Sequence, residues 1–306
     1  MKVFVTGATG AVGRPTILLL VAAGHEVTAV ARTDEKRAQV EAAGARGVLV
    51  DLFDPGAVAA AVAGHDAVVN LATNIPPITR AARRSAWATN DRLRREASAH
   101  LVDAAMAAGA GRLVQESVVF LYPDSGDRWI DASSTAPAPT PVVASALEAE
   151  AQAARFTDAG GVGVVLRFGM IYGPGLSHTE TFLRLARWGL AYSAGDRSRY
   201  TSSIQVGDAA AAVVAALGAP AGIYDIVDDE PLASDAYADA LAAAVGRKRY
   251  LRVPGRLARL GGTQAEAVTR SQRVSNRRFR EVAGWSPRWG SVAEGLGAMT
   301  SDGQGR

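Results

Sequence analysis

The chain has 306 residues, of which 48% are hydrophobic and 21% charged, enough for one large domain or a domain with a substantial appendage. It contains no cysteine, which excludes disulfides, thiolate metal sites and a cysteine nucleophile. The formal charge is only +3, and the basic clusters at Arg247 to Arg249 and Arg273 to Arg280 lack a recognition-helix or base-stacking pattern; they read as a solvated face, with no nucleic-acid partner and no membrane expected.

The first β-rich run, Lys2 to Thr6, breaks into Gly7, Gly10 and Gly13 before a helical pattern begins at Arg14 and runs to Ala23. Each glycine has a physical reason. Gly7 lets the chain leave the strand through a tight turn, Gly10 lets backbone approach a pyrophosphate, and Gly13 lets the next helix pack closely on the sheet. A strand, a glycine turn and a helix N-terminus in this order make the phosphate cradle of a dinucleotide fold.

Further strand-like runs follow at His25 to Ala31, Arg46 to Asp51, Asp66 to Ala72, Arg112 to Phe120 and Val162 to Phe168. Alanine-rich helical stretches separate most of them. Near-continuous apolar strands alternating with helices predict a doubly wound parallel sheet with right-handed crossovers. From about Gly173 the alternation lapses into helices at Thr179 to Gly189, Ala209 to Leu217 and Ser234 to Val245, with one short strand at Gly222 to Val227. The expected organisation is a nucleotide-binding domain over residues 1–172 and a mainly substrate-side region over 173–306, forming one intertwined unit. The proline-rich stretch Ser133 to Pro141 is expected to be a loop at the mouth of the sheet. The first strand follows Met1 directly and the longest apolar run near it is far too short to span a bilayer, so a cytoplasmic location is expected.

The end of the second strand bears on cofactor choice. An NAD enzyme places a carboxylate there for the adenosine ribose hydroxyls, whereas this chain has Ala31 followed by Arg32. An arginine pairs with a ribose 2′-phosphate through a planar fork of donors, which favours NADP(H) over NAD(H); Arg37 is a second candidate cation. The alternative is that Arg32 is an ordinary surface residue beside an unselective site.

Several segments in order resemble the extended short-chain dehydrogenase/reductase family of NAD-dependent epimerases, dehydratases and reductases. They are Thr6 to Gly13, Asp51-Leu52, Asn70-Leu71-Ala72, Asn90, Arg167 to Gly175, Ser203 to Ala210 and Gly284-Trp285-Ser286-Pro287. The resemblance covers nearly the whole chain and implies a Rossmann-type α/β fold. It also implies cofactor contacts at Gly7, Thr9, Gly10, Ala11, Val12, Gly13, Arg32, Asp51, Leu52, Leu71, Ala72 and Asn90. The family's active site pairs a tyrosine with a lysine one helical turn later, the lysine lowering the tyrosine pKa and holding the nicotinamide ribose. At the corresponding positions this chain has Val142 and Ala146, neither of which can carry a proton.

The remaining catalytic candidates are Ser117, at the end of the fifth strand, and Tyr122, a few residues on. Each has a plain structural alternative, a capping hydroxyl and a packed ring respectively. Trp129, Arg167, Tyr172 and His178 are the substrate-side candidates, and the histidines have no metal-ligand spacing. The expectation is an NADPH-dependent reductase of a small organic molecule with a non-standard proton donor. A non-redox isomerase, cyclase or dehydratase, or a non-catalytic NADP-binding sensor, is the alternative. The family often pairs through two long helices, here Asn90 to Ala108 and Val143 to Asp158, so a homodimer is a candidate assembly.

Overall fold

A computed structural model describes residues 1–192, 196–253 and 263–301. Seven strands, β1 (Lys2–Thr6), β2 (Glu26–Ala31), β3 (Arg46–Leu49), β4 (Ala67–Asn70), β5 (Arg112–Val118), β6 (Val162–Phe168) and β7 (Gly222–Ile226), form one parallel sheet in the order β7-β6-β5-β4-β1-β2-β3. This is the doubly wound order with its reversal between β1 and β4, where a crevice opens beyond the carboxyl ends of the strands. The seventh strand comes from well beyond residue 172 and pairs with β6 from Gly222↔Val164 to Ile226↔Phe168. The carboxyl-terminal part of the chain thus completes the sheet that the amino-terminal part begins.

Helices cover both faces because successive strand residues point to opposite sides. Val3 and Val5 of β1 pack with α1 (Gly13–Ala22) and α8 (Val206–Ala216), through Ile17, Leu20, Ala209 and Val213. Phe4, between them, points the other way, toward α3 (Pro55–Val62), α5 (Ser98–Ala107) and α6 (Ser145–Asp158), where it joins Val58, Leu101, Ala105 and Phe156. The helix α2 (Asp34–Ala42) lies over β2 and β3, its first turn capped by Thr33 accepting from the Lys36 amide. Asp54 caps α3 through the Gly56 and Ala57 amides, with Pro55 at the first helical position, as a helix start requires.

The helix α4 (Ala88–Arg92) passes through a π turn (Leu93–Ala97) into α5. Beyond β6 the chain builds a smaller layer from α7 (Ser177–Arg187), α9 (Ser234–Ala244) and α11 (Val292–Ser301). Its core is Tyr172, Leu183, Tyr237, Leu241, Val292 and Leu296. The short helix α10 (Arg277–Ala283) ends in a left-handed Gly284, and Phe279 and Trp285 then pack under the sheet. Residues 133–140 contain no helix or strand, as their prolines imply.

Candidate active site

The glycine turn is built as its spacing implies. Gly7 has φ +68°, and a Cβ there would sit 2.2 Å from the Leu71 carbonyl oxygen at the end of β4. A Cβ on Gly13 would sit 2.1 Å from the Gly7 carbonyl oxygen, and the Gly10 amide closes the turn on that same oxygen at 2.9 Å. No side chain caps α1 and its first turn carries no acid. The Ala11 and Val12 amides take no acceptor among the described residues, and Thr9 beside them is half-buried. Unspent N–H groups, a positive helix end and backbone free of Cβ atoms fit a pyrophosphate.

Arg32 emerges at the end of β2 as an exposed guanidinium with no acid partner among the described residues, next to a buried Ala31. Arg37, by contrast, is engaged by Asp34 at 2.9 Å and lies beside Glu41, on the side of α2 toward β3. Its charge is already matched. Asp51 ends β3 in a turn, accepting the Phe53 amide at 2.9 Å with one carboxylate oxygen, and the Leu52 carbonyl is met by His100 Nδ1 at 3.0 Å.

A buried polar cluster fixes the end of β4. Asn70 accepts from Thr6 Oγ1 at 2.6 Å and donates to Ser98 Oγ at 3.1 Å and Gln115 Oε1 at 2.9 Å. It also accepts the Ala72 amide at 3.2 Å, so Leu71 and Ala72 leave the strand along a defined path. Asn90 accepts the Asn74 amide at 2.9 Å, and its buried Nδ2 has no partner. An unspent donor at the carboxyl edge of β4 suits a ligand oxygen.

The fifth strand divides its residues between two environments. Ser117 is 0% exposed and donates to Glu150 Oε1 at 2.5 Å; Glu150 in turn holds Arg167 in a two-pronged pair at 2.7 and 2.8 Å. Ser117 therefore points inward to α6, and the expectation that its hydroxyl meets substrate is not met. Its neighbour Val118 has the opposite orientation, as the pleat requires, and packs against an apolar cluster of Leu121, Val142, Val143, Ala146 and Ala267. Trp87, Phe120 and Leu147 complete that cluster.

Val142 and Ala146 are 2% and 0% exposed. They pack with Leu121, Val143 and Ala267, and the indole of Trp87 beside them donates to the Ala81 carbonyl at 2.9 Å. The nearest hydroxyls along the chain are those of Thr140, buried without a partner among the described residues, and Ser145, which donates to Asp91 Oδ1 at 2.8 Å.

Tyr122 is also fully buried; its phenol donates to Asp225 Oδ1 at 2.8 Å and its ring lies under the Arg167 guanidinium, 5.0 Å from the centroid. Burial and the Asp225 charge raise its pKa, so it is a locked donor rather than a mobile acid. Arg167, 2% exposed, spends Nε and Nη2 on Glu150, and Tyr172 lies in the core of the smaller layer with its hydroxyl on the Ser291 carbonyl. His178 is tied to the Ile171 carbonyl at 2.6 Å and stacked edge-on against Phe182; burial lowers its pKa. Of the four substrate-side candidates only Trp129 is open, 49% exposed, with Arg273 stacked over its ring at 4.3 Å.

A family model described as NAD(P)H-binding matches residues 7–173, more than half of the chain. The 3-diazoavenalumate denitrifying reductase of a Streptomyces species is 34% identical over 308 residues, covering 97% of this chain and 99% of that protein. The chain belongs to the NAD(P)H-binding family. The 2-alkyl-3-oxoalkanoate reductase of Stenotrophomonas maltophilia is 32% identical across 81% of this chain and 77% of its own.

Among solved structures, the Thermus thermophilus UDP-glucose 4-epimerase in complex with NAD superposes with a TM-score of 0.79 at 22% identity, covering 100% and 99% of the two chains. A human epimerase family protein with NADPH gives 0.78 at 23% identity, with 99% and 100% covered. The fold is that of the epimerases and dehydratases of the short-chain dehydrogenase/reductase class, and this family member is an NAD(P)-dependent oxidoreductase-like enzyme.

Within the family frame, the groups that sequence reading missed are Glu150, Asp225 and the buried pair Arg94–Glu116 at 2.7 Å. Of these only Asp225 stands out in the sequence, as a charge in the otherwise uncharged strand β7. No helix of the described residues is long and apolar enough to cross a membrane, and they contain no group of three or more potential metal ligands.

Proposed function

We propose that this enzyme is an NADP(H)-dependent reductase of a small aromatic molecule whose reduction requires no acid from the protein. Val142 and Ala146 carry the reading, because neither side chain can quench the alkoxide that reduction of a carbonyl would leave. Gly7, Gly10 and Gly13, the amides of Ala11 and Val12, and Asn90 would hold the dinucleotide, with Arg32 on the 2′-phosphate. Bound in this cradle, a reduced nicotinamide supplies one hydride, which balances replacement of an aryldiazonium group by hydrogen with release of N2.

The name of the 34%-identical Streptomyces reductase, which pairs a diazo compound with denitrification, supports this acceptor class. The protein's own part is to place the ring. Val118 and the rings of Trp87 and Phe120, the half-buried members of the cluster, would supply an apolar surface for a planar substrate, with Val142 and Ala146 packed behind them.

The test is to incubate purified enzyme with NADPH or NADH and a hydroxyaryl diazonium acid, following cofactor absorbance and N2 together. One N2 released per NADPH oxidised, with NADH slower, is the expected result. N2 release without cofactor consumption, or reduction of ketones but not of the diazo compound, would overturn the reading.

A further inference from the structure

The carboxylate of Asp225 makes two bonds whose partners lie ten residues apart. Its Oδ1 accepts from the Tyr122 hydroxyl at 2.8 Å and its Oδ2 accepts the Ala132 amide at 2.8 Å. These partners are the first and last residues of the segment that leaves β5, carries Asp127, Arg128 and Trp129, and returns toward α6. Asp225 itself is immobile: it lies in β7, 3% exposed, in register with Arg167 of β6, which is in register with Ser117 of β5. A row of three polar side chains thus crosses three strands, with Glu150 bonded to two of them and Tyr122 lying over the Arg167 guanidinium.

The outer edge of the same segment is tied elsewhere. Trp129 and Ile130 pair with Arg273 and Val274, and the Tyr122 carbonyl accepts from Gln272 Nε2 at 2.7 Å and Arg270 Nη1 at 3.1 Å. Those bonds join the loop to residues 270–274, which lie outside the central sheet. The only carboxylate that joins both of its ends to the central sheet, among the described residues, is Asp225. Phe120 and Leu121, immediately before Tyr122, belong to the apolar wall described above, so whatever fixes Tyr122 also fixes that wall.

We propose that Asp225 is a positioning residue that staples both ends of residues 122–132 to the sheet and so holds the acceptor side of the pocket, on the reading that the organic acceptor lies against the Val118 and Phe120 wall. Each carboxyl oxygen accepts a single bond, and a protonated oxygen retains one lone pair, so the staple is available in either protonation state. The groups facing it are Tyr122, Asp131 and the Ala132 amide on the loop and Arg167 on β6, whose charge is already balanced by Glu150 of α6. Burial raises the Asp225 pKa to about 7, with Asp131 adding to the rise and the hydrogen bonds and Arg167 opposing it. Closing the loop over Asp225 therefore favours its protonated form, and the closed state is strengthened on acidification through the neutral range.

Amide hydrogen exchange of the 122–132 peptide tests this without any acceptor, with the β1 peptide as an internal reference and rates corrected for intrinsic pH dependence. Asp225→Ala is expected to speed exchange of the loop at least tenfold relative to the reference, and Asp225→Asn, which keeps one acceptor, by less. In the wild type loop protection should rise as pH falls through about 7, and in Asp225→Asn it should not titrate. NADPH affinity, by calorimetry, should stay within twofold because the glycine turn and Arg32 lie on other strands.

Equal loop exchange in wild type and Asp225→Ala, an equal acceleration of the β1 reference, or a persisting titration in Asp225→Asn would each overturn the proposal. A parallel loss of NADPH affinity would do so too. Failure of the diazo-reductase assay leaves these readouts intact, so the two claims fail separately.

Discussion

The proposed preference for NADP(H) rests on Arg32, a single exposed guanidinium. Replacing it with alanine should weaken NADPH binding by roughly 10- to 100-fold, the range for a charge-assisted pair with phosphate, and leave NADH binding within about threefold. Titration calorimetry of both cofactors against both proteins checks this; equal losses for NADPH and NADH would remove Arg32 as a phosphate reader. The position was legible in the sequence because it follows the last residue of an apolar strand. The side on which Ser117 points was not, since the alternation along β5 has one face in the helix layer and the other against Val142 and Ala146, and both faces are buried there. Tyr122, Arg167 and Tyr172 were found as site residues by their place in family segments, yet burial turns each into support. Their partners Glu150 and Asp225 needed the three-dimensional row across β5, β6 and β7 to become visible.

At the scale of elements, the turn between β1 and α1 leaves no room for a Cβ at Gly7 or Gly13. Gly13→Ala would place a methyl 2.1 Å from the Gly7 carbonyl oxygen, and either helix α1 moves off the sheet or the turn opens. The expected result is loss of cofactor binding together with a large fall in melting temperature, followed by calorimetry and circular dichroism; wild-type NADPH affinity in this variant would contradict the cradle.

The π turn between α4 and α5 makes a second element-scale demand, since it holds Arg94, 1% exposed, against Glu116. Arg94→Met leaves that acid buried without its partner and should cost about 3–5 kcal/mol, most of it recovered by adding Glu116→Leu. Chemical denaturation of the three variants measures it, and additive losses in the double variant would count against a direct pair. Strand and helix identities were legible from periodicity, with ends off by one to three residues. The π turn was not, because it leaves no mark on the apolar spacing.

The whole molecule combines buried acids with a buried histidine, and their pH contributions have opposite signs. Asp225 and Asp228 have folded pKa values above those of the unfolded chain, Asp225 at about 7 against 3.8, chiefly through burial. Such groups favour the folded state while protonated, so their contribution is largest at acid pH and is lost as pH rises from about 4 toward 7. His178, held below 6.5 by burial, works in reverse: its contribution is present above about pH 6.5 and is lost as pH falls below it. The difference in melting temperature between wild type and Asp225→Asn isolates one acid. That difference should favour wild type more at pH 5 than at pH 8; a difference that does not change with pH would mean that Asp225 ionises as freely in the folded protein as outside it.

The fold-level organisation follows from the same sequence features that define the family, and the proposed chemistry turns on Val142 and Ala146, which carry no proton where the family resemblance places a tyrosine and a lysine. The most direct test of that chemistry is the solvent deuterium isotope effect on single-turnover NADPH oxidation with the diazo acceptor. The account requires a value near unity, since no protein acid moves in that step. A value of about two or more would show a proton in flight, and would contradict an apolar pocket that works by hydride alone.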